Sequence, residues 1–145
     1  MPGNNDPVYS RQGDLSSSGT TTMAPTFTTA AADYTGATAS TNKLVFTADA
    51  TNGGFIQRLR FKAIGTNTAS VARIFINNGS ANTTAANNSF YGEITLPATT
   101  ISAVAATIDL DYPMNFALNP AFTIYVGIGT TVAAGWVCTA VGGKY

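Results

Sequence analysis

The sequence predicts an all-β protein, an antiparallel sandwich of about seven or eight short strands with an extended N-terminal arm. Large apolar residues alternate with polar ones in several short runs, which is the period of a half-buried strand. Thr, Ala, Asn and Gly dominate the 145 residues and only 10% are charged, a composition that suits strands and turns better than helices. Turn residues separate the runs at short intervals, and no helical pattern lies between them.

Residues 1–40 are predicted to form the arm, and residues 41–145 the sandwich. The first segment is rich in Ser, Thr, Ala and Gly, and its few large side chains lie too far apart to build a core. Two interpretations remain open, a disordered tail and an arm that orders against a neighbouring subunit. We favour the arm, for which three large side chains are the candidate partner contacts: Tyr9, Leu15 and Phe27.

The chain is organised around residues 55–79, in which two strands flank a turn at Gly65-Thr66-Asn67-Thr68. A shorter strand, 43–48, precedes them and ends in a turn over 49–54. The apolar face of the first flanking strand comprises Phe55, Leu59, Phe61 and Ala63. The two faces of the second flanking strand comprise, respectively, Ala72, Ile74 and Ile76, and Val71, Arg73 and Phe75.

Four cations fall on one side if these two strands pair directly across their turn. We name this set the basic strip: Arg58, Arg60, Lys62 and Arg73. A register slipped by one residue would bury an arginine among apolar side chains, which is costly. Because Val71 and Phe75 share this face with the cations, we expect cross-strand partners or a second protein to cover it.

Four further strands complete the predicted sandwich: 90–96, 101–112, 122–128 and 136–141. The polar loop 79–89 contains no core residue and should project from the body. Pro113 and Pro120 bracket a predicted connecting loop, since proline cannot donate to a sheet ladder. Gly127, in the strand 122–128, and Gly129, just after it, lack side chains and leave room for close packing.

Asp109 and Asp111 come nearest to a paired-carboxylate site, because they point out of one face of their strand. Residues two apart on a strand meet the spacing of an acid–base pair trivially, so the spacing carries little information. We favour cross-strand ion pairs between these carboxylates and cations of the basic strip, Arg58, Arg60 or Arg73.

The sequence contains no His and a single cysteine, Cys138, so neither a usual nucleophilic triad nor an internal disulfide can form. We interpret Cys138 as a small buried hydrophobe, with a reactive thiol as the alternative. A Ca²⁺ site built from Asp109, Asp111 and Asn115 would offer too few oxygen ligands. The sequence therefore predicts no catalytic residue, metal site or cofactor, and no small-molecule substrate.

The formal net charge is zero, so no broad field recruits nucleic acid or an anionic membrane. The N-terminus has neither the basic start nor the apolar run of a secretory signal, and no apolar stretch approaches the roughly 20 residues that span a bilayer. We expect synthesis in a cytoplasm. A surface this low in charge is typical of a molecule that is packed among others.

Three strings resemble a family of small structural proteins encoded by tailed bacteriophages and prophages: GTNTASVARIFINNG (65–79), YGEITLPATT (91–100) and GTTVAAGWVCTAVGGKY (129–145). The resemblance covers roughly residues 40–145 and contains no catalytic residue. Members of the family that sit on heads resemble jelly-roll capsid cement or decoration proteins. In a jelly roll, consecutive strands often lie in opposite sheets, which would turn the central pair into a corner crossing.

The resemblance implies a homo-oligomer, with a trimer favoured, that binds the outside of the shell of major capsid protein and stabilises the virion. For its contact with acidic shell residues we consider the basic strip together with Phe75. Internal pairing of these cations with Asp109, Asp111 and Glu93 is the alternative, and both interpretations remain open at this point.

A carbohydrate- or host-receptor-binding module of a phage tail or head fibre is the alternative function, since β-sandwiches often host such sites. Four aromatic residues could supply stacking platforms: Tyr91, Tyr112, Tyr125 and Trp136. Trp136 is flanked by small apolar residues, so core packing is its expected role. The amide-rich loop 79–89 has no aromatic residue before Phe90, which ranks this function second.

Overall fold

The computed structural model describes residues 12–14, 24–31, 33–38 and 40–145. Within these ranges the chain forms nine strands and a single turn of 3-10 helix at Ala85–Asn87. The strands are β1 (Gln12–Asp14), β2 (Thr26–Phe27), β3 (Lys43–Thr47), β4 (Gly54–Ala63), β5 (Ser70–Asn77), β6 (Asn88–Leu96), β7 (Asp109–Leu118), β8 (Thr123–Ile128) and β9 (Trp136–Lys144).

The strands form two antiparallel sheets that pack into a sandwich. In the first sheet β9 lies between β4 and the short strands β1 and β2, and β4 also pairs with β7. The second sheet has the order β3, β8, β5, β6. Pairing is nested, β2 with β9, β3 with β8, β4 with β7 and β5 with β6, which is the order of a jelly roll. The predicted all-β, jelly-roll-like antiparallel sandwich is thus confirmed.

The core lies between the sheets and is built by the alternation that the sequence predicts. Trp136 and Cys138 of β9 face it together with Leu59 and Phe61 of β4. Side chains of the second sheet close it from the other side: Val45, Phe46, Ala72, Ile74, Leu96, Ile124, Val126 and Ile128. Cys138 is therefore the small buried hydrophobe that the sequence indicates, and burial raises the pKa of its thiol.

The two strands of the central stretch do not pair with each other, so the predicted direct pairing is wrong. β4 pairs with β7 and β9 in the first sheet, whereas β5 pairs with β6 and β8 in the second. Residues 64–69 form the corner crossing between the sheets that the jelly-roll resemblance implies. Both arrangements bury the same alternate residues, which is why alternation alone could not separate them. As a result, Arg73 lies on a different sheet from Arg58, Arg60 and Lys62.

A bulge in β4 changes which residues face the core. The register shifts between Ile56 and Arg58 in both ladders of this strand. Ile56 and Leu59 are both fully buried although three residues apart, and Phe55 is only half-buried. The prediction that Phe55 shares a face with Leu59 is wrong because the extra residue at the bulge reverses the alternation.

The predicted loop between Pro113 and Pro120 is also corrected. β7 begins at Asp109 and continues through Pro113 to Leu118. It is an edge strand, paired only with β4 among the described strands, and an edge strand tolerates proline because one of its sides has no ladder to break. Residues 101–108, predicted as the start of this strand, instead belong to the loop that precedes it.

The described part of the first segment is built into the sandwich. β1 and β2 extend the first sheet beside β9, and Phe27 lies opposite Trp136 with 1% of its surface exposed. Further along, the Ala31 amide donates to the carbonyl oxygen of Ile128 at 2.7 Å. The described residues of 24–38 therefore pack on the same sandwich as residues 41–145. The candidate contacts Tyr9 and Leu15 lie outside the described residues.

Replacing Phe27 with alanine tests whether this segment is part of the core. We expect Phe27→Ala to lower the free energy of unfolding by about 3–5 kcal/mol, because it leaves a large cavity beside Trp136. Urea unfolding followed by tryptophan fluorescence measures the change. The control Ile101→Ala removes an exposed side chain and should change stability by less than about 0.5 kcal/mol. Equal, small effects of both substitutions would show that the first segment lies apart from the body.

Candidate functional site

The cations of β4 face two aspartates of β7. Arg60 Nη2 lies 2.7 Å from one carboxylate oxygen of Asp109, and Lys62 Nζ lies 2.8 Å from the other. Arg58 Nε is 3.5 Å from Asp111 Oδ1. The hydrogen bond from Lys62, supported by that from Arg60, outweighs desolvation and holds the pKa of Asp109 below its ordinary value. These contacts confirm the ion-pair interpretation for Arg58 and Arg60.

Arg73, the fourth cation of the basic strip, holds a segment of its own chain. Its Nη1 donates to the carbonyl oxygens of Ala31 (3.0 Å) and Asp33 (3.4 Å). Its Nη2 donates to the hydroxyl of Tyr34 at 3.2 Å, and the guanidinium carbon lies 4.1 Å from the centre of the Tyr34 ring. Glu93 supplies a carboxylate oxygen 3.9 Å from Nε. We name the segment that Arg73 holds, Ala30, Ala31 and residues 33–38, the strap.

The strap crosses the outer face of the second sheet, where small residues let it approach closely. A side chain at Gly127 would meet Ala31 and Asn42, so only glycine fits beneath the strap there. Gly36 of the strap has a φ of +72° and lies on the ring of Phe75. Phe75 is fully buried as a result. From the sequence we expect cross-strand partners or a second protein to cover the face that contains Phe75. At Phe75 the strap and Phe90 provide this cover.

Asp33 organises the turn inside the strap. Its carboxylate accepts hydrogen bonds from the amides of Thr35 (3.0 Å) and Gly36 (2.8 Å) and from the hydroxyls of Thr35 and Thr38. Burial by itself raises the pKa of Asp33. The hydrogen bonds from Thr38, Gly36 and Thr35 together exceed that effect and lower the pKa below its ordinary 3.8. The ionised carboxylate therefore stabilises the folded turn.

The strap presents one aromatic ring to solvent beside another from β6. Tyr34 is 58% exposed and Phe90 is 42% exposed. Their ring centres are 5.5 Å apart and their planes meet at 88°. Asn88 joins this pair to the loop 78–87, since its Nδ2 donates to the carbonyl oxygens of Thr35 and Asn82. We name Tyr34 and Phe90 the aromatic platform.

The end of the sandwich at the corner crossing is tied together by Asn67, which is buried. Its side-chain oxygen accepts from the amides of Ala134 (2.9 Å) and Gly135 (2.7 Å), and its Nδ2 donates to the carbonyl oxygens of Gly65 and Gly135. Its main chain exchanges two hydrogen bonds with Thr99. One side chain and its backbone thus fix three loops, those after β4, β6 and β8.

The longest of these three loops, residues 97–108, carries exposed aliphatic side chains and no charge. We name it the end loop. Val104 is 96% exposed, and Ile101 and Ile108 are more than half exposed. Ile64 is exposed in the loop after β4. A shallow pocket of about 330 Å³ opens along the loop and is lined by Pro97, Ala98, Thr99, Thr100, Thr107 and Ile108.

The four aromatic residues predicted as sugar platforms separate into different environments. Trp136 is fully buried, which confirms the expected core packing. Tyr91 sits at a register shift in β6 and packs against Tyr112 and Phe116 of β7, where it covers the gap between two edge strands. Tyr125 is half-buried. The ring contacts of Tyr91 with Tyr112 and Phe116 do not involve the aromatic platform.

The described residues contain no group of three His, Cys, Asp or Glu side chains placed to hold a metal ion. Nor do they include a helix long and apolar enough to cross a membrane. Of the candidate partner contacts, Phe27 and Phe75 are buried within this chain, and Arg58, Arg60 and Lys62 are partly exposed in ion pairs.

No known protein family, curated protein or solved structure matches the chain. Functional inference therefore rests on the fold and on the surfaces described above. The aromatic platform and the apolar end loop were both absent from the candidate residues of the sequence. The end loop could have been found as an uncharged run with isolated large aliphatic residues, whereas nothing local in the sequence links Tyr34 to Phe90.

The pH dependence of stability tests the role of Asp33. Because its folded-state pKa is depressed, its contribution to stability is present above the unfolded pKa of about 4 and is lost as the pH falls through the lower folded value. We expect Asp33→Asn to destabilise the protein at neutral pH, and the difference from wild type to shrink on acidification. Urea unfolding over an acid pH series measures both curves. A difference that stayed constant to the lowest pH would contradict this role.

Proposed function

We propose that the protein is a structural component of a tailed-bacteriophage virion, a cement or decoration protein that binds the outside of the major capsid protein shell and stabilises it. The three strings that resemble phage structural proteins support this proposal, as does a jelly-roll-like sandwich of the kind that the resemblance implies. The protein would be made in the host cytoplasm and act on the capsid surface as a homo-oligomer, with a trimer as the preferred form.

The observation that carries the proposal is the apolar end loop. A solvated loop normally contains polar and charged side chains, whereas this one exposes Ile101, Val104 and Ile108 without a single charge. Asn67 fixes the base of the loop to two neighbouring loops, so little conformational freedom is lost there when a partner binds. An apolar tip on a fixed base suits a protein surface with an apolar depression.

The basic strip now has a smaller part than the sequence suggested. Arg73 is committed to the strap, and the three remaining cations already have carboxylate partners on β7. These side chains are partly exposed, and surface ion pairs are weak, so an acidic shell residue could replace an aspartate at little cost. We therefore assign the strip a contribution to orientation and association rate, and the end loop the larger share of affinity.

The same arrangement argues for binding rather than catalysis. Asp109 contacts two cations, whose hydrogen bonds lower its pKa rather than raise it toward the range of a general acid, and Asp111 is paired with Arg58. They lie on the exposed edge strand β7 beside these cations. Cys138, the one thiol in the sequence, is fully buried and cannot meet a substrate.

Co-sedimentation with empty shells tests the proposal. Shells assembled from the major capsid protein of the same phage or prophage genome are mixed with the purified chain and pelleted. We expect the wild type to saturate a fixed number of sites, and Val104→Asp to bind more than about tenfold more weakly because a charge enters the apolar contact.

Thr83→Asp is the matched control, since it adds the same charge to an exposed loop at the opposite end of the sandwich. It should bind shells as the wild type does, and both variants should keep the wild-type melting temperature. A wild-type protein that does not pellet with shells would overturn the proposed function. Full binding by Val104→Asp would instead place the contact on another surface.

A further inference from the structure

We propose that the aromatic platform, Tyr34 and Phe90, is a binding site for neutral carbohydrate. This site is distinct from the end loop and does not depend on shell binding. It lies on the outer face of the second sheet near the loop that follows β5. The end loop lies at the other end of the sandwich, near the start of β5.

The first step is that the rings are held in place before any ligand binds. Arg73 fixes one face of Tyr34 and bonds its hydroxyl, so the ring cannot rotate freely. Phe90 packs with its ring against Tyr34 on one side and Phe75 on the other. The Asp33 turn and the bond from Asn88 to Thr35 hold the strap on both sides of Tyr34. Two large side chains are thus held in place while about half of each remains exposed.

The second step is the chemistry of the surroundings. Residues 77–92, which include Phe90 and the adjoining loop, contain no charged side chain and are rich in Asn, Ser and Thr. The nearest charges are Arg73, whose guanidinium lies against Tyr34, Asp33, whose carboxylate accepts hydrogen bonds within the strap, and Glu93, which lies 3.9 Å from Arg73. Aromatic faces beside amides and hydroxyls match a sugar, whose C–H face is apolar and whose edge is a ring of hydroxyls. Two carboxylates and one cation flank the rings, so these surroundings offer an anionic saccharide no net positive charge and favour an uncharged one.

The third step concerns size. A stable contact between two protein copies buries roughly 800 Å² on each partner, with a core of several large apolar residues. The aromatic platform offers two rings, and the amides near it donate to main-chain carbonyl oxygens of the loop and the strap, Asn87 to Ala81 and Asn88 to Asn82 and Thr35. An area this small fits one or two sugar units better than a second protein.

Titration of the isotope-labelled protein with neutral oligosaccharides tests the site, because NMR shifts detect weak binding residue by residue. The probes are glucose, galactose and N-acetylglucosamine di- and trisaccharides, with sialylated and sulphated saccharides as the anionic set. We expect shifts at residues 33–36 and 88–90 with at least one neutral probe. Phe90→Ala and Tyr34→Ala should each weaken that binding by about tenfold or more.

Tyr91→Ala is the matched control, since Tyr91 neighbours Phe90 and is 41% exposed but faces β7. It should bind the probe as the wild type does. Phe90→Ala leaves the Arg73 bonds to the strap in place, so its loss of binding cannot be attributed to an unseated strap. Three results would overturn the site: no shifts with any neutral probe, a preference for the anionic set, or equal binding by wild type and Phe90→Ala.

Discussion

The guanidinium of Arg73 holds together the part of the structure on which the surface description depends. It bonds two carbonyl oxygens of the strap and stacks on Tyr34, while its own strand runs through the centre of the second sheet. The Arg73 side chain is only 11% exposed, so its bonds to the two carbonyl oxygens are partly shielded from water and contribute more than an exposed salt bridge would. Phe75 is covered and Tyr34 is displayed as consequences of the same contact.

The nested pairing of strands explains how the molecule divides its surface. The corner loops after β4, β6 and β8 meet at one end and are joined by Asn67, which leaves the apolar end loop projecting from a rigid base. The loop after β5 lies at the other end, beside the aromatic platform. Between them, the flank of β4 and β7 is neutralised by its own ion pairs. At the two ends, the described residues expose an aliphatic surface on the end loop and an aromatic one at Tyr34 and Phe90.

The sequence allowed the strands, the core and the ion pairs to be predicted, because alternation and charge are local properties. It did not allow the sheet of each strand to be assigned: Arg73 alternates with Ala72 and Ile74 in the same way whether β5 pairs with β4 or with β8. The strap was missed because most of its residues are small and have no period, and the packing of Phe27 was missed because it lies in a strand of only two residues. The glycines at 127 and 129 were the single local hint of a close approach.

Native-state hydrogen exchange at the amide of Ala31 tests most directly whether the strap is an integral part of the sandwich. This amide of the strap donates to the carbonyl oxygen of Ile128 in β8. We expect it to exchange as slowly as amides of β5 and β8 in the wild type, and to lose this protection in Arg73→Lys while amides of β4 and β9 keep theirs. Exchange of Ala31 at the rate of an unstructured peptide in the wild type would contradict the account.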